Sequence, residues 1–248
     1  ENYSGSKIIP IQNHAGKIKI TDLEAFLKMK GEIHFSQPRI ISITQSTELG
    51  TLYSISEIKA LADFAHKNQM LLHMDGARLS NAAVALNCSL AETSIAAGVD
   101  ILSFGGTKNG LLFGEAVVFS ESASEFAKIF PFVRKQGMQL GSKMRYLSAQ
   151  FLAYLSDDLW KNNATHANAM AKILDRRLRD SGKIKIPNNT QANGVFPILS
   201  QGLIKKLQKN FYFHVWDEEK NMVRFMTSFK TSEADVNSLV DAIITEFC

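Results

Sequence analysis

The chain has 248 residues, of which 45% are hydrophobic and 21% charged, and a formal net charge of +4. These values exclude a disordered or collagen-like polypeptide and fit one large or two small folded domains. The sequence has no apolar run long enough to cross a membrane as a helix, and two cysteines, Cys88 and Cys248, are too few for a disulfide framework or a cysteine metal site. We therefore expect a soluble cytoplasmic protein without a membrane partner.

Basic residues are scattered along the chain apart from one dense run, Arg176-Arg177-Leu178-Arg179. The run falls late in a predicted helix with a polar face, where cations interact favourably with the C-terminal end of the helix dipole. A solvated helix face explains the run, and we expect no nucleic-acid partner.

Strand and helix patterns alternate through the first half of the chain. The predicted elements are a strand at 7–11, a helix from the capping box Thr21–Glu24 to Gly31, a strand at 39–44, a helix opened by the capping box Ser54–Glu57, a strand at 70–75, helical stretches at 78–86 and 90–97, and strands at 101–103 and 115–120. This alternation is typical of an α/β fold with a mostly parallel sheet that helices cover on both faces.

After Pro131 the pattern becomes helical, and strands return towards the end of the chain. The predicted elements are long helices at 138–159 and 165–179, a strand at 195–199, a helix at 203–209, strands at 211–216 and 222–228, and an amphipathic helix at 232–247. We interpret the stripe Leu147, Phe151 and Leu155 as a packing surface. The sequence thus predicts a large domain over 1–135, followed by linker helices and a small α+β domain over 136–248.

An acid and a lysine follow two successive predicted strands. Asp75 ends the apolar run Leu71–Met74, and Lys108 comes soon after Ile101–Phe104. The crevice outside the carboxyl ends of the strands is where open α/β sheets bind ligands, so both side chains are expected to face one cleft. Pyridoxal 5'-phosphate (PLP) chemistry needs such a pair, an acid for the ring nitrogen and a lysine for the aldehyde. Taken singly, each residue also fits an ordinary turn acid or a solvated loop charge.

Two more residues invite a choice between function and structure. Arg224 lies in an apolar strand, Met222–Met226, where a guanidinium needs a carboxylate partner that is either a substrate or an internal ion pair. His73 lies two residues before Asp75 and hence on the same side of its strand. It either orients the acid or is a satisfied core histidine.

The sequences of several segments resemble those of the low-specificity L-threonine aldolases, members of the β-eliminating-lyase group of fold-type I PLP enzymes. The segments are His73-Met-Asp-Gly-Ala-Arg-Leu-Ser-Asn-Ala82, Ser103-Phe-Gly-Gly-Thr-Lys-Asn-Gly110, Arg134-Lys-Gln, Ser142-Lys-Met-Arg145, Thr44-Gln-Ser-Thr-Glu-Leu-Gly-Thr51 and Val223-Arg-Phe-Met-Thr-Ser-Phe-Lys-Thr231. The resemblance extends through essentially all of the chain. It implies a fold-type I PLP-transferase-like architecture and PLP as cofactor.

The resemblance also assigns roles to individual residues. Lys108 and Asp75 are the implied catalytic and cofactor-binding pair, and Arg224 is implied to hold the substrate α-carboxylate. Arg78, three residues past Asp75, is a second candidate for the same carboxylate, and the Thr107 hydroxyl is a candidate for the cofactor phosphate. The further cofactor contacts that the resemblance implies are Gln45 at the phenolic oxygen and Arg134, with its neighbour Lys135, at the phosphate or the substrate from an adjacent subunit.

The activity implied by the resemblance is reversible retro-aldol cleavage of a β-hydroxy-α-amino acid, L-threonine or L-allo-threonine, to glycine and an aldehyde. The resemblance also leads us to expect a homodimer or homotetramer, and a leading segment before Glu1 that completes the cofactor pocket. Two alternatives stay open: another PLP-dependent lyase, racemase or aminotransferase, and a non-catalytic truncated homologue.

Overall fold

The first half of the chain forms a four-stranded sheet in a computed structural model that describes residues 2–247, apart from the side chain of Met138. The strands are β1 (Ile40–Thr44), β2 (Leu71–Gly76), β3 (Ile101–Gly105) and β4 (Glu115–Phe119), in that spatial order. β1, β2 and β3 are parallel and β4 is antiparallel to β3. The register pairs Thr44 with Asp75 and Asp75 with Ser103, so the carboxyl ends of the parallel strands lie together. The predicted α/β fold with a mostly parallel sheet is confirmed.

Eight α-helices and a second sheet complete the described part of the chain. The helices are α1 (Ile20–Glu24), α2 (Ile55–Lys67), α3 (Leu79–Leu86), α4 (Ser124–Met138), α5 (Arg145–Leu155), α6 (Leu159–Asp180), α7 (Gln201–Leu207) and α8 (Glu233–Thr245). The second sheet has the antiparallel order β5 (Gly194–Val195), β7 (Met222–Met226) and β6 (His214–Asp217). None of the helices in the described residues is long and apolar enough to cross a membrane.

One face of the four-stranded sheet is covered and the other is open. Alternate residues such as Ile41, Leu72 and Leu102 are buried in a hydrophobic cluster with α2 and the start of α3. The intervening residues, among them Ser42 and His73, are half-buried or exposed. The expectation of helices on both faces is therefore wrong for the described residues. Strands that are buried on both faces consist almost entirely of apolar residues, whereas in the strands of this sheet apolar residues alternate with polar ones.

Local hydrogen bonding explains why the helix prediction at α2 is confirmed and the one at residues 90–97 is wrong. α2 begins at the predicted capping box, in which Ser54 Oγ accepts from Glu57 N at 3.2 Å and Glu57 Oε2 accepts from Ser54 N at 2.7 Å. Residues 90–97 form only turns and a short 3-10 helix, Ile95–Ala97. There the hydroxyls of Thr93 and Ser94 donate to backbone carbonyls and compete with helical hydrogen bonding.

Other predicted elements are wrong in length or type. Residues 7–11 form no strand, and Ile8 is 68% exposed. The predicted helix at 138–159 is broken between α4 and α5, where Gln139 and Lys143 have φ angles of +63° and +59°. Left-handed backbone of this kind cannot continue an α-helix.

The second hydrophobic cluster joins α6, α7, α8 and the antiparallel sheet into a small α+β unit. Tyr154 of α5 still belongs to the first cluster, whereas Met170 of α6 belongs to the second. The domain boundary that we predict from the sequence, 1–135 and 136–248, cuts through α4, and the two clusters meet along α6.

Candidate functional site

The ends of β2 and β3 approach each other closely, with Asp75 near the end of β2 and Lys108 on the short turn that follows β3. A side chain added at Gly105 would put its Cβ 2.6 Å from Ala77 Cα, so only glycine permits this contact. Asp75 is half-buried, and its Oδ1 accepts from Ala77 N at 2.9 Å, which fixes the carboxylate at the strand end. Lys108 is exposed on the short 3-10 turn Thr107–Asn109 and has no ion-pair partner in the part of the chain that is described.

Buried polar contacts hold the turn that carries Lys108. Asn109 is 2% exposed, and its Nδ2 donates to Tyr154 Oη at 2.7 Å and to Trp160 O at 2.9 Å. Burial raises the pKa of Tyr154, so its hydroxyl stays protonated and remains able to hydrogen-bond Ser80 at 2.6 Å. The lysine therefore extends from a rigid base while its own amine stays accessible.

His73 is bound by serines on the open face of the sheet. Its Nδ1 lies 2.8 Å from Ser42 Oγ, and its Nε2 lies 3.0 Å from Ser103 Oγ. Both ring nitrogens are thus occupied, and neither bonds Asp75. Burial lowers the pKa of His73, and the negative charge of Asp75 partly opposes that shift. Of the two alternatives, the geometry favours a histidine satisfied by its neighbours over one that orients Asp75.

The lowered pKa of His73 gives an expected pH dependence of stability. The pKa of His73 is lower in the folded protein than in the unfolded chain, so folding disfavours the protonated form. The contribution of neutral His73 to the free energy of unfolding is therefore complete above about pH 6.5 and is lost as the pH falls through and below that value. We expect His73→Gln to flatten the decline in thermal stability between about pH 7.5 and 5.5. Thermal melts at several pH values measure this decline. The exposed His34→Gln variant is the control, and an unchanged slope in His73→Gln would contradict the prediction.

The close approach at Gly105 gives a second expected result. In Gly105→Ala the new Cβ would also lie 2.9 Å from Ala77 O, a backbone atom that cannot rotate away. We expect a loss of stability of about 1–3 kcal/mol, typical of overpacking, and a displaced Asp75 turn. Denaturant unfolding measures the loss. Gly202→Ala on α7 has no atom within 4 Å of the added Cβ and should be neutral or stabilising by up to about 1 kcal/mol. Equal effects of the two changes would refute the close-contact argument.

Two arginines from different units of the fold converge on a third residue, Glu48. Arg78 Nη1 lies 3.5 Å from Glu48 Oε1, and Arg224 Nη1 lies 3.5 Å from Glu48 Oε2. Arg224 also stacks on Trp216, with its Cζ 4.3 Å from the ring centroid. Burial lowers the pKa of Arg78, as does the nearby charge of Arg224, and Glu48 and Asp75 raise it. Arg78 is therefore close to Asp75, and the two guanidinium groups share the single carboxylate of Glu48.

Sequence reasoning identified both arginines but missed Glu48. The available signal was its position as the single charged residue in the polar segment Thr44–Thr51. It also missed Asn193, which lines the same pocket and whose buried Oδ1 has no hydrogen-bond donor among the described residues.

Of three other predicted cofactor contacts, Gln45 and Thr107 are engaged in hydrogen bonds, and Arg134 has none in the described part of the chain. Gln45 is fully buried, and its side-chain amide donates to Tyr53 O and accepts from Tyr53 N. Thr107 Oγ1 accepts from Gly114 N at 2.9 Å. Arg134 is exposed on α4 and has no hydrogen bond or ion pair within residues 2–247.

Comparison with known proteins identifies the family. A family model described as beta-eliminating lyase matches residues 1–201. The chain belongs to the beta-eliminating lyase family. Within it, the chain is 39% identical over 237 residues to the low specificity L-threonine aldolase of Pseudomonas aeruginosa, a match that covers 95% of this chain and 68% of that protein. It is 38% identical, with the same coverage, to the enzyme of that name from a Pseudomonas species.

A solved structure of a beta-eliminating lyase relative supports the same placement. The structure of Leishmania major threonine aldolase matches with a TM-score of 0.90 and 28% identity, covering 99% of this chain and 72% of that one. The chain therefore has the fold-type I architecture. The site residues fit PLP. The accessible amine of Lys108 extends from a rigid turn after β3, and the fixed carboxylate of Asp75 lies near the end of the adjacent strand β2, where Gly105 permits a close approach of the two strands.

Proposed function

We propose that this protein uses PLP to cleave L-threonine and L-allo-threonine to glycine and acetaldehyde. The observation that carries the proposal is the placement of Asp75 and Lys108 on adjacent strand ends with Arg78 beside them. The names of the relatives support the substrate class. The reaction breaks the Cα–Cβ bond, releases the β-hydroxyl proton and returns a proton to Cα.

Each residue has a separate task in this proposal. When bound, PLP supplies an electron-withdrawing ring that accepts the charge released at the substrate α-carbon. The Asp75 carboxylate would stabilise the protonated form of the ring nitrogen, and the Lys108 amine would hold the cofactor through its aldehyde. Arg78 and Arg224 hold the α-carboxylate so that the Cα–Cβ bond is the one aligned to break.

Product analysis tests this function against the other PLP reactions. The natural protein, loaded with PLP, is incubated with L-threonine and L-allo-threonine, and acetaldehyde and glycine are quantified. We expect the two products in equal amounts. Formation of 2-oxobutyrate, of an oxo acid coupled to an amine acceptor, or of the D-amino acid would instead indicate elimination, transamination or racemisation. The absence of any product would support a non-catalytic homologue.

A surface on α4 supports a homodimer or homotetramer. Phe126, Ile129, Phe132 and Val133 are between 46% and 69% exposed on this helix, and contiguous apolar surface of this kind usually marks an interface. We propose that a second copy covers it and that Arg134, on the same helix, reaches the cofactor phosphate of the adjacent subunit. Light scattering should show a smaller assembly for Phe132→Asp than for the control Gln136→Asp. Equal masses for these variants would contradict the proposal.

The cytoplasmic location also remains a proposal. It rests on the low cysteine content of the sequence, and Cys88 is a free thiol. Fractionation of the source cells would test it.

A further inference from the structure

Glu48 is much more exposed than the two arginines between which it lies. The side chains of Arg78 and Arg224 are 10% and 17% exposed, whereas that of Glu48 is 46% exposed. The guanidinium groups thus belong to the wall of the pocket, and the carboxylate reaches them from its open side. This arrangement resembles a bound ligand more than a buried structural ion pair.

The contacts that Glu48 makes are long for charged groups. Both nitrogen–oxygen distances are 3.5 Å, compared with about 2.7–2.9 Å for strong charge-assisted hydrogen bonds. The Nε of Arg224 is buried and has no acceptor in residues 2–247. One carboxylate stretched between two cations therefore leaves donor capacity unused, which a differently placed carboxylate can take up.

The backbone around Glu48 is held by hydrogen bonds that do not involve its side chain. Thr47 N donates to Thr51 O at 2.9 Å, and Gly50 N donates to Thr47 O at 3.0 Å. The hydroxyls of Thr47 and Thr51 lie 2.7 Å apart. Because this turn is fixed, rotation of the Glu48 side chain alone is sufficient to vacate the arginine pair.

We propose that Glu48 is an internal carboxylate that occupies the arginine pair until the α-carboxylate of the substrate displaces it. The inference rests on the proposed function, since that function brings an α-carboxylate to Arg78 and Arg224. In this role Glu48 lowers the affinity for every monocarboxylate by a constant factor. It is a positioning residue that sets affinity, and it takes no part in bond breaking.

Binding of a simple carboxylate tests the displacement directly. Propionate is titrated into the PLP-loaded natural protein by calorimetry, with propionamide as the uncharged ligand of the same shape. In Glu48→Gln and Glu48→Ala we expect the Kd for propionate to fall about tenfold, the factor that applies if Glu48 leaves the pair free about one tenth of the time. Glu48→Asp, which keeps the charge but is too short to reach both arginines, should give an intermediate Kd.

Matched controls separate displacement from a general change of charge. Glu121→Gln removes an exposed carboxylate on another turn and should leave propionate affinity unchanged, and the Glu48 variants should not alter propionamide binding. An unchanged or weaker propionate affinity in folded Glu48→Gln and Glu48→Ala would overturn the proposal. Because propionate binding requires no turnover, failure of the aldolase assay would leave this result independent.

Discussion

Replacing Asp75 with asparagine is expected to slow threonine cleavage roughly 10²–10³-fold while the cofactor remains bound. Asparagine can still hydrogen-bond the ring nitrogen, but it lacks the charge that keeps that nitrogen protonated. Removal of a preorganised electrostatic group commonly costs a factor of about this size in kcat. Steady-state kinetics with saturating PLP, together with the visible absorbance of the bound cofactor, measure the two quantities separately.

The conservative change Asp75→Glu serves as the comparison for this prediction. It keeps the charge but moves it by one methylene group, so activity should exceed that of Asp75→Asn. Near-normal turnover in Asp75→Asn would mean that another acid faces the ring nitrogen.

Replacing Lys108 with alanine is expected to reduce turnover by about 10³-fold or more. Lys108 would hold the cofactor through its aldehyde, and loss of one side chain that bonds the reacting molecule commonly lowers kcat by about 10³-fold or more. Borohydride reduction of the PLP-loaded natural protein, followed by peptide mass spectrometry, should find the pyridoxyl group on Lys108 and on no other lysine.

Lys135 and Lys143 provide the controls for this assignment. Lys135→Ala and Lys143→Ala should retain covalent labelling at Lys108, and added methylamine should partly restore turnover only in Lys108→Ala. A label on Lys135 or Lys143 in the unmodified protein would refute the assignment of Lys108.

The parts of the fold that depend on residues close together in the sequence could be predicted. The capping box at Ser54 and the run from Leu71 to Asp75 are local patterns, and the structure contains both. The strand predicted at 7–11 failed because a strand also needs a partner, and the sequence of that segment does not specify one. The alternation of the polar residues Ser42, His73 and Ser103 with apolar ones is typical of an open sheet face, a signal that the prediction from the β-α pattern did not include.

The candidate site likewise contains residues that the sequence could bring together and residues that it could not. Asp75 and Lys108 could be paired because successive parallel strands end at one edge of the sheet. The meeting of Arg78 with Arg224 joins residues from two units of the fold, and only the family resemblance suggested it. Glu48 was missed because its role depends on two side chains that lie far away in the sequence.

Helix α6 packs against both units of the fold. Its N-terminal portion packs against the first hydrophobic cluster and its C-terminal portion helps to form the second. At the junction, Asn81 and Asn168 exchange two buried hydrogen bonds, at 3.0 and 2.9 Å. Cleavage of this helix would therefore remove packing residues from both clusters, and a tilt of the helix would change the distance between Arg78 and Arg224. Helix α6 therefore affects both the packing of the two cores and the spacing of the two arginines.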